Sequence, residues 1–184
     1  MSKPNTIPRN YQLQLLEYAK NQNIVTVLNT GSGKTLIAVL LLKYIHSIDS
    51  RVSVFLVPAV PLVSQQSKYI QSHTTLNVQE AYGSMGVDTW DSEKWQAVTH
   101  LNNILVMTPQ VLLNSIHSNF LNLNDISCLV FDEAHHCRGS HPYNQLMEVY
   151  RHHKGTRPKI FGMTASPSCS GSDCLESLKY YRLI

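Results

Sequence analysis

Residues 24–42 read IVTVLNTGSGKTLIAVLLL, an apolar run followed by a glycine-rich turn and a second apolar run. The first run, 24–28, is short and β-branched, which predicts a buried strand. The second belongs to a segment, 34–47, with the length and period of a helix. Glycines at such a junction let backbone N–H groups approach a phosphate, and the helix N-terminus adds a favourable dipole. The segment therefore predicts a strand, a phosphate-binding loop and a helix in an α/β protein.

The side chains of this loop predict a site for ATP and Mg²⁺. Lys34 would reach the β- and γ-phosphates, and the hydroxyl of Thr35 would bind the metal. The general pattern of phosphate loops has a glycine where this chain has Leu28. Helicase-type loops relax that position, so the departure favours the helicase class of phosphate loops. The alternative is a glycine and serine turn that caps an ordinary helix, and the strand–loop–helix context favours the phosphate loop. The predicted nucleotide-binding residues here are Thr30, Gly31, Ser32, Gly33, Lys34 and Thr35.

An acidic pair follows the apolar run 126–131. Asp132 and Glu133 would therefore lie at the carboxyl edge of the sheet, where ligands bind in open α/β folds. Asp132 is predicted to hold Mg²⁺ opposite Thr35, and Glu133 to orient and deprotonate the attacking water. Alone, such a pair is often the solvated start of a loop, but with the phosphate loop it completes one site for ATP hydrolysis. The predicted catalytic residues are Lys34, Asp132, Glu133 and His135, the last as a sensor of the γ-phosphate.

Short β-branched runs alternate with longer helical segments along the whole chain, which predicts a parallel sheet with helices on both faces. The last segment, 166–184, is predicted to become helical through Leu175, Leu178 and Tyr181 without forming a new strand. Strands are predicted at 24–28, 51–57, 78–82, 104–107, 128–131 and 159–163, and helices at 11–20, 34–47, 61–73, 89–100, 109–117 and 143–153.

Composition indicates one compact globular domain, because the 184 residues are 43% hydrophobic and 15% charged. The apolar runs 37–42 and 52–57 are far shorter than the roughly 20 residues that span a bilayer, so no membrane partner is expected. The polar N-terminus leads into no signal-peptide segment, which predicts an intracellular protein, cytoplasmic or nuclear. The net charge of +3 permits contact with a polyanion without requiring it.

A second metal site is conceivable where Cys137 stands near His135, His136 and His141. Structural zinc sites usually draw on a second well-spaced pair of ligands, and none accompanies this group. Zinc is therefore not expected there.

Several motifs together resemble those of superfamily 2 helicases. Asp132-Glu133-Ala134-His135, a DEAH box, resembles motif II, and Thr164-Ala165-Ser166 resembles motif III. Residues 9–12 are similar to the adenine-reading Q motif, and residues 57–66 to motif Ia. Residues 107–110 are similar to the motif that grips the nucleic-acid backbone. All of them occur in the family's order.

More narrowly, the chain resembles the N-terminal helicase region of the Dicer family from about Arg9 to Pro167. Dicer helicases commonly have a cysteine at the position of Ala134, and this change leaves both carboxylates intact. The narrower resemblance is carried by residues 11–17, 36–41, 62–66, 82–86 followed by Trp90 and Trp95, and 141–143.

This resemblance implies that residues 1–184 are a helicase ATP-binding domain, the first RecA-like domain of a P-loop NTPase. It implies a parent endoribonuclease that cuts double-stranded RNA in RNA silencing. The second RecA-like domain, with its arginine finger, and the ribonuclease III domains would lie outside this chain. The implied partners are double-stranded RNA, that second domain, and a double-stranded-RNA-binding protein. These residues alone are expected to bind ATP weakly and to hydrolyse little of it.

The resemblance also implies individual roles outside the phosphate loop and the DEAH box. Gln12 would recognise adenine through paired hydrogen bonds, with Tyr11 or Arg9 packed against the base. The alternatives are ordinary structural roles: a glutamine at a helix N-terminus, helix caps and loop packing, or a turn after a strand. The implied RNA contacts are Pro58, Ala59, Gln65 and Thr108, and the residues implied to couple nucleotide state to RNA grip are Thr164 and Ser166.

Two other functions remain open at this point. One is an RNA-sensor helicase or a DNA translocase of the same superfamily, which a comparison of double-stranded RNA with duplex DNA as stimulators of ATP turnover would distinguish. The other is a non-catalytic scaffold that binds ATP without turnover. The presence or absence of a second motor half with an arginine finger would distinguish the scaffold from the motor.

Overall fold

The computed structural model describes residues 7–166 and the backbone strand Lys179–Arg182. It shows one sheet of seven parallel strands in the order β3-β4-β2-β5-β6-β1-β7. This confirms the predicted α/β class and parallel sheet. The strands are β1 Ile24–Val27, β2 Val52–Leu56, β3 Val78–Ala81, β4 Ile104–Met107, β5 Ile126–Asp132, β6 Lys159–Thr164 and β7 Lys179–Arg182.

Helices cover both faces of the sheet, three on each side. One apolar core includes side chains of α1, α2 and α3, and the other includes side chains of α4, α5 and α6. In the described residues, no helix has the length and apolar content needed to cross a bilayer. The helices are α1 Asn10–Asn21, α2 Lys34–Ile48, α3 Val60–His73, α4 Ser92–Leu101, α5 Pro109–His117 and α6 Pro142–His152.

The central strands are buried from end to end, as expected of a parallel sheet covered on both faces. Trp95 of α4 is 2% exposed and meets Trp90 edge to face, with ring centroids 5.1 Å apart. Both rings therefore belong to the packing of this face, which leaves Trp95 no surface on which a base could stack.

One predicted boundary and one predicted element differ from the structure. The helix predicted from 89 begins at Ser92, because Asp91 caps it by accepting a hydrogen bond from the Lys94 amide, 2.8 Å away. The predicted helical ending is also wrong where it can be compared, because Lys179–Arg182 is a strand that pairs in parallel with β1. Leu175 and Leu178 lie outside the described residues. The unpaired edge of β1 offers this segment a row of backbone partners, which outweighs a weak local helical pattern.

The carboxyl ends of all seven strands meet at one edge of the sheet. In spatial order from β4 to β1, this edge carries Thr108, the Pro58 loop, Asp132, Thr164 and then the phosphate loop. The strand that ends in Asp132 therefore lies between the strand of motif Ia and the strand of motif III. This order places the predicted RNA contacts on one side of Asp132 and the predicted nucleotide contacts on the other.

Candidate active site

The phosphate loop joins β1 to α2, as predicted. Gly31 and Gly33 have φ angles of 80° and 78°, in the left-handed region, and Gly33 caps α2. The Ser32 amide donates to the Asn29 carbonyl over 3.2 Å. The Ser32 hydroxyl is buried without a hydrogen-bond partner among the described residues. An orphaned donor in a glycine-rich turn at a helix N-terminus fits a phosphate group, whose oxygens accept hydrogen bonds.

The Lys34 ammonium is held against this loop. Its Nζ donates to the carbonyl oxygens of Leu28 and Asn29, 2.8 Å and 3.2 Å away. An ammonium has three protons, so one remains for a phosphate oxygen without loss of either bond. Thr35 follows on the first turn of α2 and is half-buried. Thr30 is exposed beside the loop.

The Q-motif residues contact the phosphate loop directly. The Tyr11 hydroxyl donates to the Ser32 carbonyl over 2.5 Å. Gln12, which is buried, donates from Nε2 to the carbonyls of Ser32 and Gly33 over 3.1 Å and 3.3 Å. Its Oε1 accepts the Arg9 amide over 2.8 Å. Because both protons of Nε2 are engaged, Gln12 can donate to adenine only by releasing a loop carbonyl. Adenine recognition stays a prediction, and a brace on the phosphate loop is what the geometry shows.

Asp132 ends β5 as a buried carboxylate. Its Oδ1 accepts the Glu133 amide over 3.0 Å, and its Oδ2 accepts Nε2 of Gln66 over 3.2 Å. Burial, with the nearby Glu133 charge, raises the pKa of Asp132 to about 6, while the Lys34 charge opposes that rise. Each oxygen retains a lone pair, and a divalent cation would offset the cost of the buried negative charge. These features are compatible with Mg²⁺, and the binding of Mg²⁺ by Asp132 stays a prediction.

Glu133 and His135 leave the strand through a strained turn. Glu133 has φ 48°, a left-handed conformation that is uncommon in residues other than glycine and that concentrates at functional sites. Nδ1 of His135 lies 3.2 Å from Oε2 of Glu133 and 2.8 Å from Oγ1 of Thr164. His135 thus joins the acidic pair to motif III, a contact that the prediction of a phosphate sensor did not include.

Motif III is tied to the phosphate loop as well. The Thr164 carbonyl accepts the Leu28 amide over 3.0 Å, just beyond the paired strands β1 and β6. The Thr164 hydroxyl donates to the Ser166 carbonyl over 3.0 Å and accepts the Ser166 amide over 3.2 Å. The two predicted coupling residues are therefore in contact with each other, and Thr164 touches both halves of the nucleotide site.

The predicted RNA contacts follow β2 and β4. Pro58 is half-buried, Ala59 is exposed as the cap residue of α3, and Gln65 is exposed on that helix. Thr108 caps α5, and its hydroxyl makes no capping hydrogen bond. Capping therefore does not account for this threonine hydroxyl, and RNA contact stays a prediction for all four residues.

Two buried residues at this edge belong to motifs identified in the sequence but were assigned no role of their own there. Gln66 bonds to the Asp132 carboxylate, and the Tyr143 hydroxyl lies 3.1 Å from the Leu56 carbonyl and 2.9 Å from that of Asp132. Buried α3 residues fall at 63, 66, 67 and 70, so helical period could have placed Gln66 inward. No local signal shows what its amide meets.

The rings of the histidines that follow the acidic pair are in contact, stacked for His136 and His141 and tilted for His135 and His136. The ring centroids of His136 and His141 are 5.3 Å apart, and those of His135 and His136 are 4.3 Å apart. Partial burial, together with the neighbouring histidines, lowers the pKa values of His136 and His141. Within the described residues, no group of three or more His, Cys, Asp or Glu side chains could hold a metal.

Comparisons with known proteins agree with this geometry. The family model described as DEAD/DEAH box helicase matches residues 9–173. The chain is 46% identical to "Endoribonuclease Dicer homolog 2b" of Oryza sativa subsp. japonica, over 89% of the chain and 13% of that relative. It is 46% identical to "Endoribonuclease Dicer homolog 1" of Arabidopsis thaliana, over 86% of the chain and 9% of the relative. The chain thus spans about a tenth of the length of such relatives.

A solved structure is also similar. The Hef helicase domain of Pyrococcus furiosus superposes with a TM-score of 0.81 and 28% sequence identity. The match covers 95% of this chain and 38% of the Hef chain. It confirms the RecA-like helicase fold that the sequence motifs implied.

Proposed function

The chain belongs to the DEAD/DEAH box helicase family, and from that premise we propose that it is the first motor domain of a Dicer-like endoribonuclease that binds and processes double-stranded RNA. Members of this family hydrolyse ATP, and the similar plant proteins bear names of Dicer endoribonucleases. Because the chain spans so little of those relatives, the substrate and the cleavage activity of the whole protein belong to the proposal. The proposed setting is inside the cell, in RNA silencing.

One observation carries the proposal: the phosphate loop and the acidic strand end are joined through β6. Thr164 accepts the Leu28 amide on one side, and its hydroxyl lies 2.8 Å from His135 on the other. The Lys34 charge is also close enough to Asp132 to oppose the rise in its pKa. A loop suited to phosphate and a carboxylate suited to Mg²⁺ therefore form one site.

The side chains support the following roles. Ser32 and the loop amides would hold phosphate oxygens, and Lys34 would add positive charge beside them. Asp132, with Thr35, would hold Mg²⁺, which when bound neutralises charge on the phosphates. Gln66 bonds to the carboxylate of Asp132 and not to that of Glu133. The Glu133 carboxylate is half-exposed, so it can orient and deprotonate a water. Nδ1 of His135 lies 3.2 Å from that carboxylate and shares its contact with the Thr164 hydroxyl, 2.8 Å away.

On the other side of Asp132, the proposed RNA contacts are Pro58, Ala59, Gln65 and Thr108. Hydroxyl, amide and backbone groups of this kind recognise phosphate and sugar, so they would read duplex shape and not sequence. The other proposed partners are a second RecA-like domain, which would supply an arginine finger, and a double-stranded-RNA-binding protein. Residues 1–184 alone would therefore bind ATP weakly and turn over little of it.

The decisive experiment measures ATP turnover by the full-length protein, without nucleic acid, with double-stranded RNA and with duplex DNA. We expect stimulation by the RNA, loss of turnover in Glu133→Gln with ATP binding retained, and loss of both in Lys34→Ala. Glu93→Gln, an exposed change on α4, is the matched control and should behave as the unchanged protein does.

The same assay tests the role of Glu133 and distinguishes two of the alternatives, the DNA translocase and the scaffold. RNA-stimulated turnover that persists in Glu133→Gln would contradict the assigned role of that residue. Preferential stimulation by duplex DNA would favour a DNA translocase. ATP binding without turnover in the unchanged protein would favour the non-catalytic scaffold.

A further inference from the structure

Helix α3 carries two adjacent glutamines with opposite environments. Gln65 is exposed, whereas Gln66 is 8% exposed and lies on the inward face with Val63 and Ile70. Adjacent helical residues point about 100° apart, so one helix can present one amide to solvent and the other to the interior. Because Gln65 is a proposed RNA contact, the same helix would contact RNA with one glutamine and the interior with the next.

The amide of Gln66 contacts the proposed metal ligand itself. Its Nε2 donates to Oδ2 of Asp132 over 3.2 Å, and both side chains are buried. The other carboxylate oxygen accepts the Glu133 amide. The Asp132 carboxylate is therefore held at one oxygen by the amide of the next residue and at the other by a side chain of α3. The position of α3 fixes the plane of this carboxylate. A shift of a few tenths of an ångström would lengthen the bond beyond hydrogen-bond distance.

A second link ties the same two segments together at the backbone. The buried Tyr143 hydroxyl lies 3.1 Å from the carbonyl of Leu56, the last residue of β2, and 2.9 Å from that of Asp132. β2 and β5 are also adjacent in the sheet, with Leu56 opposite Phe131. The chain that leaves β2 passes through Pro58 and Ala59 into α3. The loop before α3 is therefore fixed to the end of β5. The side chain of Gln66 links the position of the helix itself to Asp132.

We propose that Gln66 is a positioning residue that couples the RNA-contacting segment of α3 to the magnesium carboxylate Asp132. This inference rests on the proposed function, because it requires both an RNA contact and a metal at the assigned places. Contact of RNA with Ala59 and Gln65 would set the position of α3, and Gln66 would pass that position to Asp132. Coupling of this kind is reciprocal, so binding of Mg²⁺ and nucleotide at Asp132 would change the affinity for RNA by the same factor.

The test uses the full-length protein and measures its dissociation constant for double-stranded RNA, with and without Mg²⁺ and a non-hydrolysable ATP analogue. The ratio of the two constants is the coupling. Gln66→Met keeps the length and packing of the side chain but removes the amide. Gln66→Asn keeps an amide that is one methylene too short. Ser67→Ala is the matched control, since Ser67 is a buried neighbour whose hydroxyl has no hydrogen-bond partner among the described residues.

In the unchanged protein we expect a ratio within the roughly 5- to 150-fold range of known couplings. In Gln66→Met and Gln66→Asn it should fall at least about threefold towards one, and the Mg²⁺ concentration for half-maximal nucleotide binding should rise. Ser67→Ala should preserve both values. A thermal melt of each variant separates lost coupling from lost folding, because a merely structural role lowers the melting temperature and leaves the ratio unchanged. If Gln66→Met does not fold, Gln66→Asn decides.

Failure of the inference and failure of the proposed function look different. Folded Gln66 variants that keep the ratio and the Mg²⁺ requirement overturn the inference and leave the proposed function standing. An unchanged protein that binds RNA and nucleotide independently of each other also overturns the inference alone. An unchanged protein that binds neither Mg²⁺-nucleotide nor double-stranded RNA overturns both.

Discussion

Nδ1 of His135 lies 2.8 Å from the hydroxyl oxygen of Thr164, which joins the DEAH box to the end of the neighbouring strand. The same hydroxyl bonds to Ser166, and the Thr164 carbonyl accepts the Leu28 amide. If His135 contacts the γ-phosphate as proposed, a change in its position would therefore reach both the phosphate loop and motif III through a single threonine.

Thr164→Val should weaken RNA stimulation of ATP turnover while ATP binding is retained. Valine keeps the shape of threonine but removes the hydroxyl that meets His135 and Ser166. We expect stimulation to fall by roughly tenfold, which corresponds to about 1.4 kcal/mol, the scale of one or two hydrogen bonds. Turnover is measured with and without double-stranded RNA. Thr164→Ser, which keeps the hydroxyl, should retain most of the stimulation, and equal losses in both variants would argue against a role for the hydroxyl.

Gly33→Ala should impair ATP binding more than Gly31→Ala does. Both glycines have φ near 80°, so alanine strains the backbone by about 1–2 kcal/mol at either position. Only at Gly33 would the new Cβ lie 2.5 Å from Nε2 of Gln12, whereas at Gly31 it meets nothing within 4 Å. Calorimetric titration with Mg²⁺-ATP should show about a tenfold larger loss for Gly33→Ala. Matching losses would show that the contact with Gln12 does not matter for the loop.

Asp132→Asn should stabilise the metal-free fold at neutral pH while it removes Mg²⁺ binding. The pKa of Asp132 is raised to about 6 from an ordinary 3.8, so the folded state binds the proton more tightly than the unfolded state. The contribution of this group to the unfolding free energy is therefore most favourable below pH 3.8 and is lost as the pH rises to about 6. Above that pH the buried charge costs about 1–3 kcal/mol.

Denaturant unfolding at two pH values tests this sign. The gain in unfolding free energy from Asp132→Asn should be about 1–2 kcal/mol at pH 7 and should shrink towards zero near pH 4. Asp88→Asn, which changes an exposed carboxylate, should alter stability little at either pH. An Asp132→Asn variant that is less stable at pH 7 than the unchanged protein would contradict the prediction.

Tyr143→Phe should destabilise the fold and also weaken the dependence of nucleotide binding on Mg²⁺. The hydroxyl lies between the carbonyls of Leu56 and Asp132, while the ring meets Phe131 edge to face and would stay in place. Leaving two buried carbonyls without this donor costs about 1–3 kcal/mol, measured by denaturant unfolding. Tyr82→Phe, a half-buried tyrosine that follows β3 at the same sheet edge, should cost less than about 0.5 kcal/mol.

The parts of the site that could be predicted are those that local sequence encodes. The turn at Gly31 and Gly33 needs left-handed backbone, and Asp132 ends an uninterrupted apolar strand, so both positions follow from short patterns. Six of the seven strands and the sites of all six helices were likewise visible in the hydrophobic period. These features depend on residues within one or two turns of each other.

The parts that could not be predicted depend on contacts between distant segments. The partner of Gln66 is 66 residues away, and the Tyr143 hydroxyl meets Leu56 across 87 residues. The contact of the Gln12 amide with the phosphate loop could not be predicted either, because the orientation of α1 decides which carbonyls it reaches, and adenine recognition by Gln12 stays a prediction. Strand β7 was missed for the same reason, since only the open edge of β1 makes it a strand.

Strand β7 has a practical consequence for work with shorter fragments. Because β1 pairs with β6 on one side and with β7 on the other, it is an interior strand only while Lys179–Arg182 is present. A fragment that ends before Lys179 would leave β1, which carries the phosphate loop, as an open edge with unpaired backbone groups. Such edges invite pairing with other chains. Fragments of that kind should self-associate and aggregate, even though every residue of the predicted nucleotide site is present.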